Sequence, residues 1–170
     1  MPDTELLPAT VLRTLRRDRC VVEPSIRLLR VPVLRGRLAA TGGHLDLDGR
    51  HLTLTLDADP VRLGPKPLRR ALTGARGLRA ADHPAITFTS ANLHVGPGDA
   101  VDVTGKVEVA GAPRHLHLTG DLRRAGDESI VLWVKGTLPA PRRRPRRLGI
   151  VARLLAGRRI HVEIAAEFVR

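Results

Sequence analysis

Aromatic side chains are nearly missing: the 170 residues include no Tyr, two Phe and one Trp. An interior built without them must be filled by Leu, Val, Ile and Ala, and the exposed stacking platform that single-stranded nucleic acid uses is missing too. The lone Cys20 excludes an internal disulfide and any metal site made from paired cysteines. No run of eighteen apolar residues occurs, so no transmembrane helix is expected. Residues 1–19 carry Asp3, Glu5, Arg13, Arg16, Arg17 and Arg19 and hold no apolar core of a signal peptide, which makes a cytoplasmic protein the expectation. Ser25, Ser90 and Ser129 lack a nucleophile-elbow setting, and no glycine-rich phosphate loop exists. The chain therefore reads as a non-enzyme without metal or cofactor.

What is abundant is positive charge. Lys and Arg number 29 against 17 Asp and Glu, a net charge of +12 that draws the protein toward phosphate-bearing surfaces, either anionic lipid or nucleic acid. A 42% hydrophobic composition over this length suits one domain with a real core.

Most apolar residues alternate with polar ones at the two-residue period of half-buried strands. Cys20 to Glu23 reads as a short strand closed by Pro24, Ile26 to Val31 as another, and Val33 to Ala40 as a third with Gly36 inside it. After a bend at Gly42-Gly43, His44 to Asp48 and His51 to Asp57 flank the hairpin dipeptide Asp48-Gly49. His83-Pro84-Ala85-Ile86-Thr87-Phe88-Thr89-Ser90 opens the second half. Further strands follow at Val101 to Val109, Arg114 to Leu122, Ile130 to Leu138 and Ile160 to Phe168. Three segments break the pattern. Thr4 to Arg17 has helical spacing and predicts an N-terminal helical extension over residues 1–18; Pro67 to Gly77 predicts about two helical turns, and Leu148 to Leu155 a short helix. About eight short strands joined mostly by tight turns predict an all-β sandwich or closed barrel with short helical insertions, and an eight-stranded antiparallel barrel is wide enough to hold one elongated ligand.

The order of these motifs resembles the YceI-like family of lipocalin-like barrels. The matching runs are Cys20-Val21-Val22-Glu23-Pro24, Arg35-Gly36-Arg37-Leu38, Leu72 through Leu78 leading to His83-Pro84-Ala85-Ile86-Thr87-Phe88-Thr89-Ser90, Val103-Thr104-Gly105-Lys106-Val107, Gly111-Ala112-Pro113-Arg114 and Leu148-Gly149-Ile150. Cys20, Leu38, Gly77, Leu78, His83 and Leu148 stand where the family usually has aromatics. The resemblance spans residues 19–170 and implies a barrel that binds a polyisoprenoid-like lipid in an apolar tunnel.

On that implication the candidate lumen residues are Leu38, Leu54, Leu72, Leu78, Ile86 and Phe88, then Val101, Val103, Leu116, Leu118 and Leu132, and Val162 and Ile164 from the last strand. The same inward stripes serve equally well for a filled core, since a small barrel can be packed solid. Arg142, Arg143, Arg144, Arg146 and Arg147, in a proline-broken loop, are the candidates for a lipid phosphate or an anionic membrane. The alternative is a basic module that binds nucleic acid or another acidic partner through those five arginines. His115 and His117 share one strand face with Thr119, which is the pattern of solvated outer residues; His94 would face inward with Phe88 unless a bulge precedes Leu93.

Overall fold

The computed structural model describes residues 11–60, 62–63, 78–139 and 158–170. The strands are β1 (Leu12–Leu28), β2 (Val31–Arg37), β3 (Ala40–Asp46), β4 (His51–Asp57), β5 (Arg62–Leu63), β6 (Ala85–Val95), β7 (Ala100–Val109), β8 (Ala112–Ala125), β9 (Ser129–Leu138) and β10 (Ile160–Val169). Antiparallel pairing runs β10-β9-β8-β7-β6-β4-β3-β1, and β1 pairs back onto β10, so eight strands close into a barrel. Closure leaves no exposed edge on those eight. β2 lies along the second half of β1 and carries β5 on its other side.

The alternation seen in the sequence becomes the two faces of the wall. In β7, Val101, Val103 and Val107 are buried inside, while Asp102, Thr104, Lys106 and Glu108 face out. Gly105 occupies an inward position because nothing larger fits: a Cβ there would come within 2.8 Å of the Ser90 Cα and 2.9 Å of the Phe88 ring. Gly105 thus lets the bulky ring cross over β7.

Several expectations change. Residues Leu12 to Arg17 are not helical; they begin β1, and residues 1–10 of the expected helical extension lie outside the described residues. The helical spacing gives way to strand period, with Arg13 and Leu15 both pointing inward. Pro24 does not end a strand either. It sits within the 17-residue β1, opposite Val162 of β10. Gly42 and Gly43 do not bend the chain away but lie in β3, where the register slips between Ala40 and Gly42. Asp48-Gly49 belongs to a four-residue connection, Leu47 to Arg50, in which the Gly49 N–H donates to Asp46 Oδ1 at 2.8 Å. The helical insertions at Pro67 to Gly77 and Leu148 to Leu155 lie outside the described residues; among the described ones the single helical piece is the 3-10 turn Pro97–Asp99. None of the described helices is long and apolar enough to cross a membrane.

Candidate apolar binding site

The two ends of the barrel differ. At the end holding the turns after β3, β6 and β8, the interior is solid. Leu45, Leu52, Leu93, Leu118, Leu122, Ile130, Leu132 and Phe168 are essentially inaccessible to solvent there. Arg13 caps this end. It is 7% exposed, and its guanidinium donates from Nη1 to the Glu128 carbonyl oxygen at 2.7 Å, on the connection between β8 and β9. A buried guanidinium is tolerable because backbone carbonyls replace its lost water.

A local irregularity also helps to seal this region. The register of β6 against β7 slips between Ser90 and Asn92. The inward Ser90 hydroxyl accepts the Leu52 N–H at 2.7 Å, so no buried donor is left idle beside the slip. The same bulge puts Leu93 inside and leaves His94 exposed.

Toward the opposite end, where β1, β4 and β9 finish and β6 and β10 start, the interior opens into a cavity of about 170 Å³. Its wall is apolar apart from Ser25. Of the candidate lumen residues, Leu38, Leu54, Leu78, Ile86, Phe88, Leu116, Val162 and Ile164 line it together. Val101, Val103, Leu118 and Leu132 do not: they also face inward, but they sit at the filled end and pack into the core. Leu72 and Arg142, Arg143, Arg144, Arg146 and Arg147 lie outside the described residues.

Sequence reading passed over Val22, Pro24, Ile26, Leu34, Pro60, Val107, Val109, Leu138 and Ile160 as lining residues. The usable signal was position within each strand. Inward residues near the β1–β2 turn, the β7–β8 turn and the start of β10 belong to the open end, whereas inward residues at the other turns belong to the packed end. Leu38 takes its place through an isolated bridge, its N–H donating to the Val22 carbonyl at 2.9 Å, which holds the chain between β2 and β3 against β1.

The polar groups are elsewhere. His117 and Asp102 meet on the outer wall at 2.8 Å with both side chains over half exposed, so solvent screens the pair, and the sequence had not signalled this carboxylate partner. His115 is exposed on the same face. No group of three metal-binding side chains occurs among the described residues. The Trp133 Nε1–H donates to Glu163 Oε1 at 2.9 Å, also outside the barrel. What the interior offers a guest is therefore shape and apolar surface. Such a cavity excludes water for want of hydrogen-bond partners and gains about 0.8 kcal/mol for each methylene-sized group it removes from water.

Residues 17–168 match the model of the YceI-like domain. The fold is similar to that of BcnA from Burkholderia cenocepacia, with a TM-score of 0.61 and 16% identity over 90% of this chain and 98% of that one. It is also similar to a polyisoprenoid-binding domain from Saccharophagus degradans implicated in plant cell wall breakdown, with a TM-score of 0.57 and 14% identity over 94% of this chain and 98% of the other. No curated protein matches the chain.

Proposed function

The chain belongs to the YceI-like domain family, and on that premise we propose that it binds an apolar lipid of isoprenoid type by taking the end of its chain into the open half of the barrel, without catalysing a reaction. The observation that carries this reading is the apolar cavity itself, lined from β1, β2, β4, β6, β7, β8, β9 and β10 at one end of a barrel otherwise packed solid. A fold that needed only stability would gain by filling it. The polyisoprenoid-binding domain of Saccharophagus degradans, similar in fold, supports the choice of ligand class.

Size refines the reading. A cavity of about 170 Å³ is close to the roughly 150 Å³ that accepts benzene and below the roughly 300 Å³ typical of sites that enclose a whole drug-sized ligand. It suits about one isoprene unit. The remainder of a longer chain would then leave past the rim formed by Ile26, Leu34, Leu78 and Ile160.

Native mass spectrometry of the protein purified from its source, followed by lipid extraction, tests the proposal. The expected result is a co-purifying isoprenoid lipid, or uptake of added polyprenol by the emptied protein. Val162→Phe, which places a ring in the cavity, is expected to weaken uptake about tenfold or more through loss of apolar contact while leaving the melting midpoint near that of the wild type. A protein that is empty and also ignores added polyprenol would overturn the reading.

A further inference from the structure

The turn between β1 and β2 is built against local preference. Leu28 pairs with Val31, leaving Leu29 and Arg30 as a two-residue loop, and both have positive φ, 48° and 71°. Such a turn favours Asn-Gly, and a bulky leucine at positive φ is a genuine outlier. Leu29 is also 89% exposed and Val31 62%, the two most exposed large apolar residues among those described. Strain and exposure thus coincide at one tip, where neither packing nor turn chemistry asks for leucine.

The position of the tip supplies a reason. The last pair of β1 with β10 is Ile26 with Ile160, so the hairpin continues past the end of the barrel wall at the cavity rim. Ile26 and Leu34, on the inner faces of its two strands, line the cavity. Arg27, Arg30 and Arg35 are exposed along the same hairpin. An apolar point flanked by cations at the mouth of an apolar cavity fits the boundary between headgroups and acyl chains in an anionic bilayer.

We infer that the β1–β2 hairpin is a membrane-docking tip, with Leu29 and Val31 entering the interface and Arg27, Arg30 and Arg35 meeting lipid phosphate, so that the rim of the cavity is set against the bilayer. A second copy of the chain is the weaker occupant for this patch, because a net charge of +12 opposes bringing two arginine-flanked tips together. The purpose of the tip rests on the apolar-ligand reading, but its docking is measured without that ligand.

The test is flotation of the lipid-stripped full chain with vesicles of phosphatidylglycerol and, separately, of phosphatidylcholine. Wild-type protein is expected to float with the former and to lose binding as salt rises. Combined Leu29→Asn and Val31→Thr is expected to weaken partitioning about tenfold or more, the loss that follows from withholding a leucine-sized group from an apolar medium. Asparagine tolerates positive φ and threonine suits a strand, so the variant keeps its fold. Failure of the wild type to float with phosphatidylglycerol would sink the inference, as would a double variant that floats equally well or that only dissolves a dimer in sedimentation. Polyprenol uptake by native mass spectrometry on the same preparations separates the two readings: its absence, with flotation intact, would refute the ligand proposal and leave docking standing.

Discussion

Cys20 faces the interior from β1 opposite Ala166, and burial pushes its thiol from the ordinary 9.0 up to about 11. Below pH 9 both the folded and unfolded chains keep the proton, and this residue adds no pH dependence. Between pH 9 and 11 the unfolded chain loses it first, so stability falls with rising pH; above about 11 the loss is complete. Urea midpoints measured from pH 8 to 11 are expected to fall more steeply for wild type than for Cys20→Ala, and matching slopes would contradict this account. Ser90 and Arg13 show residue-level logic of another kind. Each is a polar side chain in an inward position with a backbone partner: Ser90 accepts the buried Leu52 N–H, and Arg13 donates to the Glu128 carbonyl on the β8–β9 connection. The sequence motif pointed to Ser90, but nothing local marked Arg13, whose carbonyl partner lies 115 positions away in the chain.

At the scale of elements, strand type was legible and strand extent was not. β4 and β7 run within a residue of their expected bounds because alternation and flanking turns are local signals. β1 spans the end of the expected N-terminal helix and two expected short strands, because the helical spacing of its leucines and the break at Pro24 are local signals, yet pairing with β10, β2 and β3 holds it as one strand. Where its arginines crowd, the strand bulges: between Leu15 and Cys20 four residues swing out against β10, and Arg16 reaches Asp18 at 3.2 Å. The hairpin tip supports a prediction at this scale. Replacing Leu29-Arg30 by Asn-Gly is expected to raise stability by about 1 kcal/mol or more, because each L-residue at positive φ is disfavoured by about that amount. A shift of the urea midpoint to higher concentration would show it; a fall would mean that the tip is held by contacts rather than strained.

Across the whole molecule, the distinction that matters is between the filled and hollow halves of one barrel. Leu116 and Leu118 are two residues apart on the inner face of β8 and look alike in the sequence, but the first lines the cavity and the second is sealed in the packed end. Leu118→Ala is expected to cost about 4–5 kcal/mol and Leu116→Ala about 2–3 kcal/mol, since a side chain bordering empty space loses fewer contacts when shortened. Chemical denaturation of the two variants checks this, and equal costs would mean that the cavity closes in solution.

The sequence by itself determined the two-faced strands, their order along the chain and the all-β class, because alternation and turn residues act over a few positions and need no partner to be read, and the order of its motifs carried the family; closure rests on β1 pairing back onto β10. Only the tertiary structure decided how far β1 extends, which way Arg13 points and where packing stops. Those follow from the register of eight strands around a ring, so whether two leucines on the same face meet side chains or empty space depends on residues distant in the chain.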